Sequence, residues 1–275
     1  MAVPGSVNRT SRSLILSASL AVVLVAGVVL SAMIGQLAVS PAEVVGSVLR
    51  AMGIQNDWAP TDPIIESTLW VVRFPRIAMA LAVGAALAVA GAVMQAIFGN
   101  PLAEPGVVGV SSGGAFGAAV AIVLGVAAFG SGTIAIFAFL GGLGATLLVY
   151  AVSRANGRTE VVTLLLTGIA VNAFAGAGLA FLLFIADSGG REQIVFWQLG
   201  SLNGSLWSEV GIVVVVTIIG TVVAVLLGRR YDLLALGERR PEHDQGDGLG
   251  LGVAEEGAQR PVPHHLAVGQ APVPD

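Results

Sequence analysis

Arg73 and Arg76 stand one helical turn apart with Pro75 between them, at the head of an apolar run that reaches Phe98. Two guanidinium groups on one side of a helix start can ion-pair with carboxylates. Their stems can also simply lie along apolar surface while the charged heads stay wet. A helix N-terminus already carries partial positive charge, so an external anion would account for cations placed there. Gly109, Ser111 and Gly113 satisfy the G-x-S-x-G pattern of serine hydrolases, but that chemistry needs a preceding strand and a histidine base. No histidine occurs before His243. The small residues there suit close approach of helix backbones instead. Gln95 and Asn172 are the conspicuous polar side chains inside apolar runs, where a buried amide is expected to bond to another helix and can line a polar path. His243, His264 and His265 are scattered through a proline-rich stretch and read as solvated side chains, so no metal site is expected.

Several chemistries are excluded by composition. All thirteen cationic side chains are arginine, and without lysine the chain cannot form a P-loop that reaches the β- and γ-phosphates of a nucleotide. Cysteine is absent, which removes disulfides, thiolate nucleophiles and thiolate metal ligands. The apolar runs hold no paired carboxylates for acid–base work, so an intramembrane enzyme is disfavoured. No cofactor is expected.

The elements that must position these residues are membrane helices. Hydrophobic residues make up 55% of the chain, charged residues 11%, and the mean hydropathy is +0.88, against a soluble average of about 25% charged. A helix needs about 20 apolar residues to cross the hydrocarbon core. Six segments meet that length: Leu14 to Ile34, Pro75 to Phe98, Val107 to Ala127, Thr133 to Ser153, Val161 to Ile185 and Val210 to Gly228. The expected class is therefore all-α, a polytopic integral membrane bundle of six transmembrane helices. Arg9 and Arg12 ahead of the first run also suit a signal peptide, but the run is longer than an h-region and lacks a small-residue cleavage site, so an uncleaved helix is expected.

Arginine placement orients the bundle. With a cytoplasmic N-terminus, Arg9, Arg12, Arg154, Arg158, Arg229, Arg230, Arg239, Arg240 and Arg260 fall inside, against Arg50, Arg73, Arg76 and Arg191 outside, as the positive-inside rule requires. Both termini are then cytoplasmic. The short run Gln193 to Ser208, with Trp197 and Trp207, reads as an outer interfacial helix or re-entrant turn in preference to a seventh span. The resulting division is a cytoplasmic N-terminus (1–13), a transmembrane domain (14–228), a cytoplasmic segment (229–240) and a tail (241–275). The tail holds five of the twelve prolines and no apolar periodicity, so disorder is expected there.

The motifs along residues 14–239 resemble those of the FecCD family, the permease subunits of bacterial ABC importers for ferric siderophores, haem and vitamin B12. R-x-P-R is matched by Arg73, Pro75 and Arg76. G-x-x-x-Q…NPLA-x-P-x-x-x-G is matched by Gly91, Gln95, Asn100, Pro101, Leu102, Ala103, Pro105 and Gly109. The run from Arg230 through Leu233, Leu234, Leu236, Gly237 and Glu238 resembles the family's R-x-x-x-LLALGE element, with Arg229 at the spacing of its arginine. The resemblance implies that Arg73 and Arg76 dock glutamates of an extracytoplasmic substrate-binding protein. It also implies that Asn172, with Gln95, lines the pathway, and that Thr159 and Glu160 narrow its cytoplasmic end. Leu233, Leu234, Leu236, Gly237 and Glu238 would begin a coupling helix seated on a cytoplasmic ABC ATPase.

Family members are expected to carry ten helices and to pair with a second permease copy or a paralogue. They use ATP only through the partner ATPase, and they reside in the bacterial cytoplasmic membrane. Six spans and the abrupt change of composition near Arg239 suggest a premature end or a reading-frame shift there. An iron complex (siderophore or haem) is the expected cargo, with vitamin B12 as the alternative. A non-transporting six-helix scaffold or regulatory subunit is the competing class.

Overall fold

A computed structural model describes residues 9–126, 130–155, 158–159 and 161–237. Residues 1–8 of the expected N-terminal segment (1–13), Glu160, Glu238 and the tail (241–275) lie outside the described residues. The fold is all-helical: α1 (Arg9–Met33), α2 (Pro41–Ala51), α3 (Pro63–Thr68), a π-turn (Leu69–Arg73), α4 (Phe74–Phe98), a 3-10 turn (Pro105–Val108), α5 (Val110–Val123), α6 (Ser131–Val152), α7 (Val161–Ile185), α8 (Ser188–Leu199) and α9 (Trp207–Gly237). A two-residue antiparallel ladder, Arg154–Ala155 with Arg158–Thr159, closes the α6–α7 connection.

Five helical stretches are long and apolar enough to cross a membrane: Ser11–Met33, Pro63–Phe98, Gly132–Val152, Val161–Ile185 and Trp207–Gly228. The expected third span, Val107 to Ala127, is not one continuous helix. Gly109 takes a left-handed conformation (φ 84°) and separates the 3-10 turn from the 14-residue α5, and Gly125 (φ 69°) follows the last turn. Glycine reaches such φ values without a Cβ clash, so the pair of them sets the short length. The second span departs in the other direction. It begins at Pro63, not Pro75, because α3, the π-turn and α4 run on without a break. The Gln193–Ser208 region holds the second half of the 12-residue α8, which is too short to span, a loop with positive-φ Gly200 and Gly204, and the first residues of α9.

Two groups of helices pack separately. In the first, α1, α2, the π-turn and α4 surround Ala32, Val39, Val44, Leu69 and Ile77, with α9 lying along α4. In the second, α5 packs against α6, α7 and α8, and Ala119, Ile122, Ala186 and Ile194 form its core. The α5–α6 contact is a backbone crossing. A Cβ on Gly113 would lie 2.5 Å from the Gly141 carbonyl oxygen, and one on Gly117 would strike the Phe137 carbonyl. Gly113 and Gly117 form a G-x-x-x-G pair, the spacing that lets membrane helices touch through their backbones. Many large apolar side chains remain exposed along the spans, among them Leu20, Val23, Phe139, Leu166, Phe184 and Ile219, as befits surfaces that meet lipid or other apolar helices.

Candidate functional site

The first polar site is assembled by a proline. Pro75 lacks an N–H for the carbonyl four residues back and its ring crowds that turn. Just before it the helix widens into π register, so the Phe74 N–H bonds the Leu69 carbonyl, five residues back. The Trp70 carbonyl thereby loses its usual α-helical donor. It accepts instead from the indole N–H of Trp207, at the start of α9, at 2.8 Å. Trp70 in turn donates its own indole N–H to Ser47 Oγ of α2 at 2.9 Å and packs edge-on against Phe74.

Arg73, the last residue of the π-turn, does not face outward as expected. It is 7% exposed, and its guanidinium donates to the carbonyls of Ala32, Met33 and Leu37. Those carbonyls lie where α1 ends and the α1–α2 loop begins, a location that also favours positive charge. Arg76 is exposed. The two arginines nevertheless border one cavity of about 800 Å³, together with Ile34, Gln36, Thr68 and Asn203. The expectation of two free guanidinium groups at a helix start fails because the helix starts twelve residues earlier, at Pro63, and α1 ends against Arg73.

The second polar site lies where the chain turns between α4 and α5. Gly99 ends α4 in a left-handed conformation (φ 59°). Asn100 forms an Asx turn, its Oδ1 accepting from Leu102 N–H at 2.9 Å and its carbonyl from Ala103 N–H at 3.1 Å. Pro101 and the exposed Leu102 form the tip, and Pro105 opens the 3-10 turn. This turn does not sit at the bundle end. It abuts α7 at Gly168, seven residues or roughly 10 Å into that helix, where an added Cβ would collide with the Val107 carbonyl.

Asn172, one turn further along α7, donates Nδ2–H to the Gly106 carbonyl at 3.1 Å and accepts at Oδ1 from Ser112 Oγ–H at 2.5 Å. Irregular backbone at membrane depth requires such internal partners. Asn172 therefore makes the interhelical bonds expected of a buried amide. Gln95 does not: it is exposed on α4 and makes no hydrogen bond among the described residues.

Thr159 belongs to the α6–α7 ladder, paired with Arg154. Leu233, Leu234, Leu236 and Gly237 occupy the last turns of α9, which runs unbroken from Trp207. The separate segment expected after Gly228 is a helical extension of the sixth span. No glycine or proline stands between Gly228 and Gly237 to stop it. Among the described residues, no cluster of His, Asp or Glu is arranged to hold a metal ion.

The model of the FecCD transport family matches residues 23–246. The chain belongs to this family. Among its relatives, the cobalamin import system permease BtuC of Halobacterium salinarum is 42% identical over 170 residues, covering 61% of this chain and 44% of that protein. The hemin transport system permease HmuU of Yersinia pestis is 34% identical over 181 residues, 64% of this chain and 53% of that one. The molybdate import system permease MolB of Haemophilus influenzae is 34% identical over 221 residues, 80% and 64%. A solved structure described as an inward-facing metal-chelate type ABC transporter superposes with a TM-score of 0.66 at 31% identity, covering 80% of this chain and 64% of that one. The chain thus spans about half to two thirds of the length of these FecCD-type relatives. Family membership and the apolar helices together make it a multi-pass protein of the cytoplasmic membrane.

Two features of the site escaped the sequence reading. The Trp207–Trp70 bond was missed because tryptophan at a membrane boundary reads as an anchor. The burial of Arg73 was missed because R-x-P-R reads as a helix start. Pro75 carried the signal for the first, since a proline inside a continuing helix frees a carbonyl that some donor must satisfy.

Proposed function

We propose that this chain acts in the membrane-embedded permease of an ABC importer that moves a metal chelate across the cytoplasmic membrane. The observation that carries the reading is the family match over residues 23–246, with the R-x-P-R and NPLA-x-P motifs inside it. Such a permease performs no covalent chemistry. A cytoplasmic ATPase and an extracytoplasmic binding protein would supply the differential stabilisation that switches it between outward and inward states. Arg76, exposed at the mouth of the outer cavity, is the docking cation for carboxylates of the binding protein. The end of α9, with Leu233, Leu234 and Leu236, is the contact to the ATPase. Both termini are cytoplasmic by the arginine count. A second copy or a paralogue would complete the pathway.

Asn172 and Gln95 take different parts in this scheme. Asn172 is committed to its two interhelical bonds, so it shapes the pathway wall by holding the 3-10 turn. Gln95 carries a free amide that a partner helix or the cargo path can use. Thr159 and Glu160 sit at the cytoplasmic connection as gate candidates.

The names of the relatives span cobalamin, hemin and molybdate, and an iron complex is the cargo we favour within that range. The hemin permease relative and the metal-chelate transporter structure support it, while the 42% identity to a cobalamin permease favours the corrinoid. The test is to co-express the chain with the ATPase and binding protein of its transport system, then follow uptake of a 55Fe-chelate and of 57Co-cobalamin in a permease-null strain. Accumulation of the iron label alone is the expected result. Accumulation of cobalt alone would reassign the cargo. Failure of the ATPase to copurify would support a non-transporting scaffold instead.

A further inference from the structure

The π-turn leaves the Trp70 carbonyl without a backbone donor in either helical register. Its α-helical donor, the Phe74 N–H, bonds Leu69, and the next N–H along the chain would belong to Pro75, which has none. The indole N–H of Trp207 takes that place at 2.8 Å, across 137 residues of sequence. We propose that Trp207 is a positioning residue: it ties the R-x-P-R segment to α9, so that docking at one end of this helix is felt at the ATPase contact at the other. The proposal rests on the docking and ATPase readings given above.

Three observations carry it. The tie joins two well-held parts. Trp70 is fixed on its other side by its bond to the fully buried Ser47 and by its edge-on contact with Phe74. Trp207 opens a helix of 31 residues that runs unbroken to Gly237, a reach of roughly 45 Å. The two arginines are also placed by the tied turn, since Arg73 is its last residue and Arg76 stands in the first turn of α4.

The third observation concerns how α9 lies on α4. The bonds from Trp207 to Trp70 and from Thr217 to Ala82, the second a longer one at 3.4 Å, follow the same order along both helices, so the two lie parallel. Beyond Thr217 they face each other through Ala86, Val89 and Val93 of α4 and Gly220, Val223 and Ala224 of α9, which line a crevice of about 340 Å³. Small apolar faces with space between them let one helix shift on the other. The bonded end cannot shift without breaking its tie, so movement of the π-turn and movement of α9 are linked there.

Water can fill the Trp70 carbonyl in place of the indole, which keeps the stability cost of losing Trp207 small. Water joins nothing to α9, however, so transmission is lost even where stability is nearly kept.

The full chain, assembled in lipid nanodiscs with the ATPase and binding protein of its transport system, gives two readouts of transmission. The first is the ratio of ATPase rates with and without binding protein. Trp207→Phe deletes the donor and should lower this ratio about three- to tenfold, the range that one neutral hydrogen bond allows. Ile122→Val, a lesion of similar size in the separate core of α5 and α8, should leave it at the wild-type value. The second readout uses the reciprocity of coupled binding sites: the factor by which nucleotide changes the affinity for binding protein should shrink toward one in Trp207→Phe. The tie itself is read without any partner by NMR of the 15N-labelled indoles, where the Trp207 N–H should exchange with solvent about tenfold more slowly than that of the exposed Trp58.

A ratio and a nucleotide factor both unchanged in Trp207→Phe overturn the transmission. A ratio that falls as far in Ile122→Val overturns it too, because lost stability is then the cause. A wild-type assembly that shows neither stimulation nor a nucleotide effect defeats the docking and ATPase readings, and the transmission with them. A Trp207 indole that exchanges as fast as Trp58 defeats the tie alone and leaves those readings standing.

Discussion

The π-turn before α4 and the 3-10 turn before α5 both interrupt helical bonding beside a proline, and they are repaired by opposite chemistry. At the π-turn the repair uses a full charge: Arg73 fills the α1 carbonyls, and the Trp207 indole fills Trp70. At the 3-10 turn the repair is neutral: Asn172 fills the Gly106 carbonyl and takes the Ser112 hydroxyl, while Gly168 makes room for Val107. A charge well inside a bilayer costs several kcal/mol unless it reaches water or a partner. Arg73 borders a cavity that also holds the exposed Arg76, whereas Asn172 lies eleven residues into a membrane-length helix. Depth selects the donor, and depth should also decide how much each lesion costs.

The largest effect should come from the deep turn. Gly168→Leu places carbon where the Val107 carbonyl stands, with no flexible side chain to give way, and should destabilise by about 3 kcal/mol. Thermal unfolding in detergent measures it, and a wild-type midpoint would show that α7 and the 3-10 turn do not touch. Asn172→Leu comes next, at about 2 kcal/mol, because the Gly106 carbonyl is left unpaired where water does not replace it. Arg73→Ala should cost about 1–2 kcal/mol, less than its hydrogen bonds would suggest, because water from the adjoining cavity can reach the freed carbonyls. An Arg73→Ala loss greater than that of Asn172→Leu would break the comparison. Trp207→Phe keeps the ring and deletes one neutral hydrogen bond, for about 1 kcal/mol.

The long apolar runs made the membrane class and most of the spans legible, because burial in lipid leaves a composition signal that needs no tertiary context. The interruptions were harder to place. A run such as Val107–Ala127 is uncharged throughout, and whether Gly109 continues the helix or breaks it depends on Ala145, Val149 and Val171 packed around it. The role of Asn172 as an interhelical amide was readable, since an amide in hydrocarbon needs a partner; which carbonyl it met was not. For Arg73 the motif misled. R-x-P-R pairs two residues in sequence that the fold then separates, because the carbonyls that capture Arg73 come from a helix end no local pattern could bring near. The end of α9 shows the converse, where the sixth span was expected to close at Gly228 with a separate segment after it, and the helix runs on to Gly237.

The smallest expected effect lies at the start of α2 and sharpens the same contrast, because it concerns a helix end repaired by its own solvent-accessible cap. Ser40 and Glu43 form a capping box at the start of α2: Ser40 Oγ accepts from the Glu43 N–H at 3.2 Å, and Glu43 Oε2 accepts from the Ser40 N–H at 2.8 Å. The Ser40 backbone N–H, then its hydroxyl, stabilise the charged carboxylate and hold its pKa below the ordinary 4.5. A depressed carboxylate pKa contributes stability that is fully present above the unfolded value and disappears as pH falls through the folded one. Amide-exchange protection of Pro41–Ala51, corrected for the intrinsic pH dependence of exchange, should therefore hold at neutral pH and decline as the pH drops below 4.5. Glu43→Gln retains an acceptor at the same position but cannot titrate, so its protection should stay level through that window. A decline of equal size in Glu43→Gln would assign the acid sensitivity to some other carboxylate and leave the cap without a part in it.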